Sequence, residues 1–295
     1  MNKTTPAYSN LQTMKKAILL SFWICATSLA AAQYTLIPDS LFEQALIDEG
    51  IDSEGTHDGQ ILTADAQATT ELYATGYDIE SMTGIEDFTA LTVLWCPYNQ
   101  ITSLDVSGMS QLRDLVVTSN LIDSLDISQN TLLEKLYLPG NPISEIDLSN
   151  NPLMGDLLLS STDITTVDVS NLAELWRFRA SNLPLGTIDL SNNPDLRFLE
   201  LYNCSLSGID LSTHTQLINI DLSGNALTTI ALDSAQILYY MNVSNNLLTS
   251  LDLSANPAIT DLFCGGNQIT SLDLSHLPDL FRVNCSDNEL TSLNV

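Results

Sequence analysis

The apolar residues of this chain recur every 21 positions from Leu91 to its end. A leading column reads Leu91, Leu112, Leu133, Met154, Leu175, Leu196, Leu217, Leu238, Ile259 and Leu280. Three residues further on, Leu94 opens a second apolar column, and two beyond that Cys96 opens a third. A polar column follows, with Asn99, Asn120 and Asn141, then Thr162, Leu183 and Cys204, then Asn225, Asn246, Asn267 and Asn288. An aliphatic column headed by Ile101 comes next, and Asp-aliphatic-Ser closes most units at Asp105, Asp126, Asp147, Asp168, Asp189, Asp210, Asp252 and Asp273. Ala231 and Asn294 hold that place in the other two. Each unit reads L-x-x-L-x-L-x-x-N-x-L, ten times in phase without an insertion, the last unit incomplete.

The alternating L-x-L step predicts a short strand with one buried face. A single 21-residue coil has nothing to bury its leucines against, so neighbouring coils must stack. Stacking at ~4.8 Å gives a continuous core and a parallel sheet, and ten coils span about 45 Å. The asparagine column falls where the chain leaves the strand, where a side-chain amide can bond the backbone of the turn and of adjacent coils. Thr162 and Cys204 can partly replace it and Leu183 cannot, so the coil at Leu183-Pro184 is expected to be locally distorted. Leu-Asp-Leu-Ser on the far side alternates again and predicts a second short extended segment, the period being too short for a helix in each coil. Asn-Pro turns such as Asn150-Asn151-Pro152 return the chain to the next strand.

The flanks differ. In residues 1–32 a start at Met14 gives Lys15-Lys16, an apolar run and Ala30-Ala31-Ala32, the layout of a secretory signal peptide too short for a membrane span. Residues 33–90 are expected to form an N-terminal cap and a degenerate first repeat. Asp39 precedes the amphipathic stretch Ser40–Ile47, a capped helix that would cover the first coil. Leu72, Ile79, Met82 and Ile85 mark the degenerate coil. The acids of Ile51–Gly59 lack the order of a calcium-binding EF-hand loop and are read as a polar turn. Residues 91–295 are the repeats. They stop at Leu293-Asn294-Val295 without a capping segment, as expected of a fragment or of an end that a partner covers.

The repeat is identified as a leucine-rich repeat. Units such as Leu104-Asp105-Val106-Ser107 resemble secreted repeat proteins of Bacteroidetes-type bacteria and, more distantly, the internalins. The resemblance covers Leu91–Val295. It implies a horseshoe solenoid with its parallel sheet on the concave side and short extended segments on the convex side.

Composition narrows the function. The 295 residues hold 9 Lys+Arg against 36 Asp+Glu, a net charge of −27, yet 44% are hydrophobic. That is too apolar for a disordered acidic tail and too poor in bases for a nucleic-acid binder. Removing residues 1–32 takes three lysines and no acid, so −27 becomes −30. All six remaining bases, Arg113, Lys135, Arg177, Arg179, Arg197 and Arg282, lie on or beside the strands. Trp95, Tyr137, Trp176, Phe198, Tyr240 and Phe263 share that region. Aromatic and Arg side chains are common interface anchors, which makes Trp95, Tyr137, Arg177, Arg179, Phe198, Tyr240, Phe263 and Arg282 the candidate binding residues.

No catalytic motif, Cys-x-x-Cys or His/Cys metal spacing is present, and no cofactor is expected. Cys96, Cys204, Cys264 and Cys285 read as small core residues. The aspartate column has two readings, turns closed by the Ser two residues on and a line of weak divalent-cation sites, of which the first is preferred. The leading expectation is an exported, secreted or surface-held, non-enzymatic adhesion or binding module. It would present its concave sheet to a protein or glycan partner, without nucleic acid or a membrane span. The alternatives are a recognition module of a larger secreted enzyme and a calcium-dependent surface structural protein.

Overall fold

A computed structural model describes residues 33–295, and the proposed signal peptide lies outside the described residues. Each repeat contributes one three-residue strand. After β1 (Tyr34–Leu36), α1 (Ser40–Asp48), β2 (Gln60–Leu62) and α2 (Thr63–Ala68), the sheet opens with β3 (Glu71–Tyr73). It runs through β4 (Val93–Trp95), β5 (Asp114–Val116), β6 (Lys135–Tyr137), β7 (Asp156–Leu158), β8 (Arg177–Arg179), β9 (Phe198–Glu200), β10 (Asn219–Asp221), β11 (Tyr240–Asn242) and β12 (Asp261–Phe263). Across the coil from the sheet lies β13 (Ser271–Asp273), and β14 (Arg282–Asn284) is the sheet's eleventh strand. Pairing is parallel and in register throughout, so each repeat position forms a straight file. The middle residue of each strand points inward, and from Leu72 to Leu262 these residues are buried without exception.

The first turns depart from the pattern in an instructive way. β1 and β2 form an antiparallel pair that the periodicity does not announce. In β1 the buried residue is Thr35, while Tyr34 and Leu36 face outward. Burying Thr35 is tolerable because its hydroxyl bonds Thr63 at 3.0 Å and donates to Asp87 at 2.6 Å. Asp39 caps α1, as its position before the amphipathic stretch predicts, accepting from the backbone N–H groups of Leu41 and Phe42. Its second oxygen accepts from Glu80 and Ser81, so one carboxylate ties the cap to the first coil.

Two files of buried polar side chains satisfy the turns. In the first, the Nδ2 of Asn120 donates to Cys96 and Val117 carbonyls while its Oδ1 accepts from Ile101 N–H. Asn99, Asn141, Asn225, Asn246, Asn267 and Asn288 repeat the arrangement. The Cys204 thiol donates to the Ala180 carbonyl, the bond an asparagine would make there. Leu183 makes none. Ile164 N–H, which an amide oxygen at position 183 would accept, is left to Thr162 Oγ1 at 3.5 Å, and Leu185 N–H, whose acceptor in the next coil would be an amide in place of Cys204, turns back to Leu183 O at 2.8 Å. Just before this file the backbone turns left-handed in coil after coil, with φ of 55° to 73° at Ser119, Gly140, Ser161, Asn182, Asn203, Gly224, Asn245 and Gly266. Small or Asx residues accept that conformation most readily.

The second file runs down the opposite side: Asn130, Asn151, Asn193, His214 and Asn256, all buried. Each asparagine amide donates to two carbonyls of the preceding coil. The asparagine of the Asn-Pro turn is therefore an interior residue, and so is His214, whose Nε2 meets Leu190 O. The far-side segments are extended, as expected, and at the C-terminal end β13 pairs in parallel with β15 (Ser292–Asn294).

Candidate binding face

The sheet projects two outward files of side chains. The first reads Glu71, Val93, Asp114, Lys135, Asp156, Arg177, Phe198, Asn219, Tyr240, Asp261 and Arg282. The second reads Tyr73, Trp95, Val116, Tyr137, Leu158, Arg179, Glu200, Asp221, Asn242, Phe263 and Asn284. Its N-terminal half is apolar over five consecutive coils and its middle is polar.

The bases on this face are tied to acids one coil away. Lys135 meets Asp114, Arg177 meets Asp156 and Arg282 meets Asp261, in each case with the acid one strand earlier in the same file. Arg179 bonds Glu200 at 2.9 Å in the second file, and beside the sheet Arg113 meets Glu134. Among the described residues Arg197 alone of the six bases forms no ion pair. The two files carry four bases against six acids, so the face is close to neutral and most of the net negative charge lies elsewhere.

Aromatic rings frame these pairs. The Arg177 guanidinium lies 5.6 Å from the centre of Tyr137 and 5.0 Å from that of Trp176, a stacked cation between two rings. Tyr137 donates to Asp156 at 2.6 Å, and Asp156 also receives Arg177 Nε at 2.6 Å. Burial, reinforced by the Asp156 carboxylate, pushes the Tyr137 hydroxyl up to about 12. Trp176 meets Phe198 edge-on at 6.1 Å, and Tyr240 lies 5.7 Å from Phe263. Lys135 stands 5.8 Å over Trp95, whose ring meets Tyr73 at 5.9 Å. Trp176 sits one residue before β8 and lies over Gly155, where a Cβ would come within 2.9 Å of its ring. The structure thus brings Tyr137, Arg177 and Phe198 together around Trp176, sets Tyr240, Phe263 and Arg282 toward the C-terminal end, and places Trp95 at the N-terminal end. Tyr73, whose ring meets Trp95, and Tyr98, three residues after Trp95 in sequence, are both exposed and carry no repeat-column signal that would single them out.

On the far side each aspartate of the closing column accepts from the N–H of the Ser two residues on, at 2.9–3.0 Å. Those serines hold the carboxyls below the ordinary aspartate range. This is the Asx-turn geometry of the preferred reading. Cys96, Cys204 and Cys264 are buried free thiols, and burial pushes Cys96 up to about 12, far from a reactive thiolate.

The in-register files, the buried asparagines and the coils of about 21 residues define a leucine-rich-repeat solenoid, and they match those of internalin-like proteins. The functional domain of InlJ from Listeria monocytogenes superimposes with a TM-score of 0.82 at 26% identity, over 90% of this chain and 62% of that one. An internalin (inlF) of the same species gives 0.71 at 21% identity, over 90% and 92%. The chain therefore spans less than two thirds of the InlJ domain and nearly all of the second. The leucine-rich-repeat part of FLRT2, solved in an octameric complex with Latrophilin 3 and Unc5D, gives 0.60 at 21% identity over 75% and 76%. No protein-family model matches the chain, and no curated protein does. Among the described residues no helix is long and apolar enough to cross a membrane.

Proposed function

We propose that the protein is an exported, non-catalytic binding module whose concave sheet docks another protein, in the manner of an adhesin or surface receptor. The observation that carries this is the outward surface of β6–β9. There Tyr137, Trp176, Arg177 and Phe198 interlock with Asp156 into a partly exposed cluster of the side-chain types that dominate binding energy at interfaces. Holding these groups rigid in the unbound protein lowers the ordering cost of association. The FLRT2 domain of related fold was solved with protein partners, which supports a protein ligand over a glycan.

The test is a printed array of proteins and glycans probed with the purified protein and with Trp176→Ala plus Phe198→Ala. The expected result is a protein ligand whose binding falls roughly tenfold or more in the double variant. Binding should be unchanged in Asp147→Ala on the far side. Loss of binding in Asp147→Ala alone would place the interface on the wrong face and overturn the reading.

A further inference from the structure

The first outward file obeys a rule: an acid on one coil is followed by a base on the next, with an aromatic ring beside them. Asp114 is followed by Lys135, which lies over Trp95. Asp156 is followed by Arg177, which lies over Tyr137. Asp261, in the coil after Tyr240, is followed by Arg282. At the N-terminal end the rule breaks. Glu71 is exposed and accepts a bond from the Tyr73 hydroxyl at 3.1 Å, but the next residue of its file is Val93. Among the described residues Glu71 forms no ion pair, and the acids of the adjoining helix end, Asp48 and Glu49, form none either.

Two further observations converge on this spot. Tyr73 and Trp95 begin the five-coil apolar stretch of the second file, continuing through Val116, Tyr137 and Leu158. Tyr98, 62% exposed, stands at the end of the same coil as Trp95 with φ of 58°. Other coils put Gly, Ser, Asn or Asp at this left-handed position. An exposed aromatic held in an unfavourable backbone region is the kind of strain that function retains.

We infer that the N-terminal end of the sheet receives a basic side chain, Lys or Arg, from a protein partner. That cation completes the acid-aromatic pair Glu71–Tyr73, as Lys135 and Arg177 complete theirs from within the chain. An adjoining apolar residue of the same segment lies along Tyr73 and Trp95, whose rings meet at 5.9 Å. The charge is complementary, since the site presents carboxylates without a base, and the internal pairs display the geometry. The inference rests on the concave sheet being the binding surface, and it assigns the orientation-setting contact within it.

The test is selection of a random linear peptide library on the immobilised protein, followed by affinity measurement of the enriched peptides. Enriched sequences should carry Lys or Arg next to an aromatic or aliphatic residue. Their affinity should fall roughly tenfold or more in Glu71→Lys and in Trp95→Ala, and fall less in Glu71→Gln, which keeps the shape and loses the charge. Melting curves establish that each variant is folded. Enrichment of acidic peptides, enrichment of none, or affinity untouched by the Glu71 variants overturns the assignment. Affinity lost instead in Tyr240→Ala plus Phe263→Ala overturns it too but leaves the concave face as the binding surface. Affinity indifferent to both sets removes both ideas.

Discussion

Asn151 and Asn130 stand one coil apart in the same buried file, and the amide of Asn151 donates to the backbone carbonyl of Asn130 at 2.9 Å. The same amide reaches Ile127 O at 3.1 Å, so one side chain satisfies two buried acceptors. One coil on, Leu172 occupies the file, and the preceding residue, Asn171, donates to Leu148 O at 2.8 Å in its stead. Leu277 and His276 repeat the substitution, with His276 Nε2 on Leu253 O at 2.8 Å.

Asn150 stands before Asn151 as Asn171 stands before Leu172. Asn151→Ala should destabilise the protein by about 2 kcal/mol or more, since it leaves two carbonyls unpaired and a cavity. Asn151→Leu should cost clearly less, because Asn150 can swing in as Asn171 does. Asn150→Ala alone, at an exposed residue, should be nearly silent, but combined with Asn151→Leu it should cost more than the sum of the two. Urea midpoints of the four proteins decide the matter. Additivity of the double variant would mean that Asn150 provides no rescue.

Asp39 supports a prediction about acid. Partial burial pushes its carboxyl upward, but the N–H groups of Ser81, Phe42, Glu80 and Leu41 outweigh this and hold it below the ordinary value. A carboxyl whose folded value is depressed stabilises the protein above its unfolded value of about 3.9, and that contribution disappears as pH falls through the folded value. The far-side aspartates shift in the same direction and add to the effect. Stability should therefore drop below about pH 4. Asp39→Asn should lower the urea midpoint at pH 7, costing about 1–2 kcal/mol with the cap bonds weakened. The gap from wild type should narrow at pH 3. A gap as wide at pH 3 as at pH 7 would show that the charge of Asp39 is not what matters.

Much of this was legible in the sequence because a repeat states each rule many times over. The leucine files, the first asparagine file and the absence of a helix per coil follow from columns in which one residue type recurs. Where the signal is carried by one residue, or by a type suited to several roles, it is harder to read. Thr35 is buried on its hydrogen bonds while Leu36 is 67% exposed, so alternation in β1 points to the wrong face. Asn151 looks like a turn residue because Asn-Pro belongs in turns, and only packing shows it inside the coil. Register alone sets Lys135, Arg177, Arg179 and Arg282 on the outward side of the sheet and Arg113 and Arg197 beside it. Their partners one coil away depend on side-chain reach, so the near-neutrality of the face emerges only in three dimensions.

The ion pairs of the sheet should differ sharply in worth. Asp156 is 4% exposed and Arg177 24%, with Tyr137 closing the pair from above. Arg113 and Glu134 are 48% and 49% exposed. Double-mutant cycles to alanine should give a coupling of about 2 kcal/mol for the first pair and under about 0.5 kcal/mol for the second. High salt should erase the second and leave most of the first. Equal couplings would mean that the stacked guanidinium is no more protected than a surface pair, and the case for a preorganised cluster would weaken with it.

Tyr98 separates stability from binding. At φ of 58° a tyrosine carries a backbone penalty that glycine avoids, about 1–2 kcal/mol, against which glycine costs about 0.5–1 kcal/mol of extra unfolded-chain entropy. Its ring is mostly exposed and contributes little packing to the folded chain. Tyr98→Gly should therefore raise stability by about 0.5 kcal/mol. Tyr98→Val, β-branched at the same φ, should lower it by about 1 kcal/mol. If the ring serves a partner, the more stable glycine variant will bind the selected basic-aromatic peptides more weakly than wild type, the trade expected where a strained residue is kept for function. Thermal unfolding of the three proteins measures the first effect and peptide affinity the second. A glycine variant that is more stable and binds as well as wild type would leave Tyr98 without a part in recognition, and the contact at Glu71 and Trp95 would then have to stand without it.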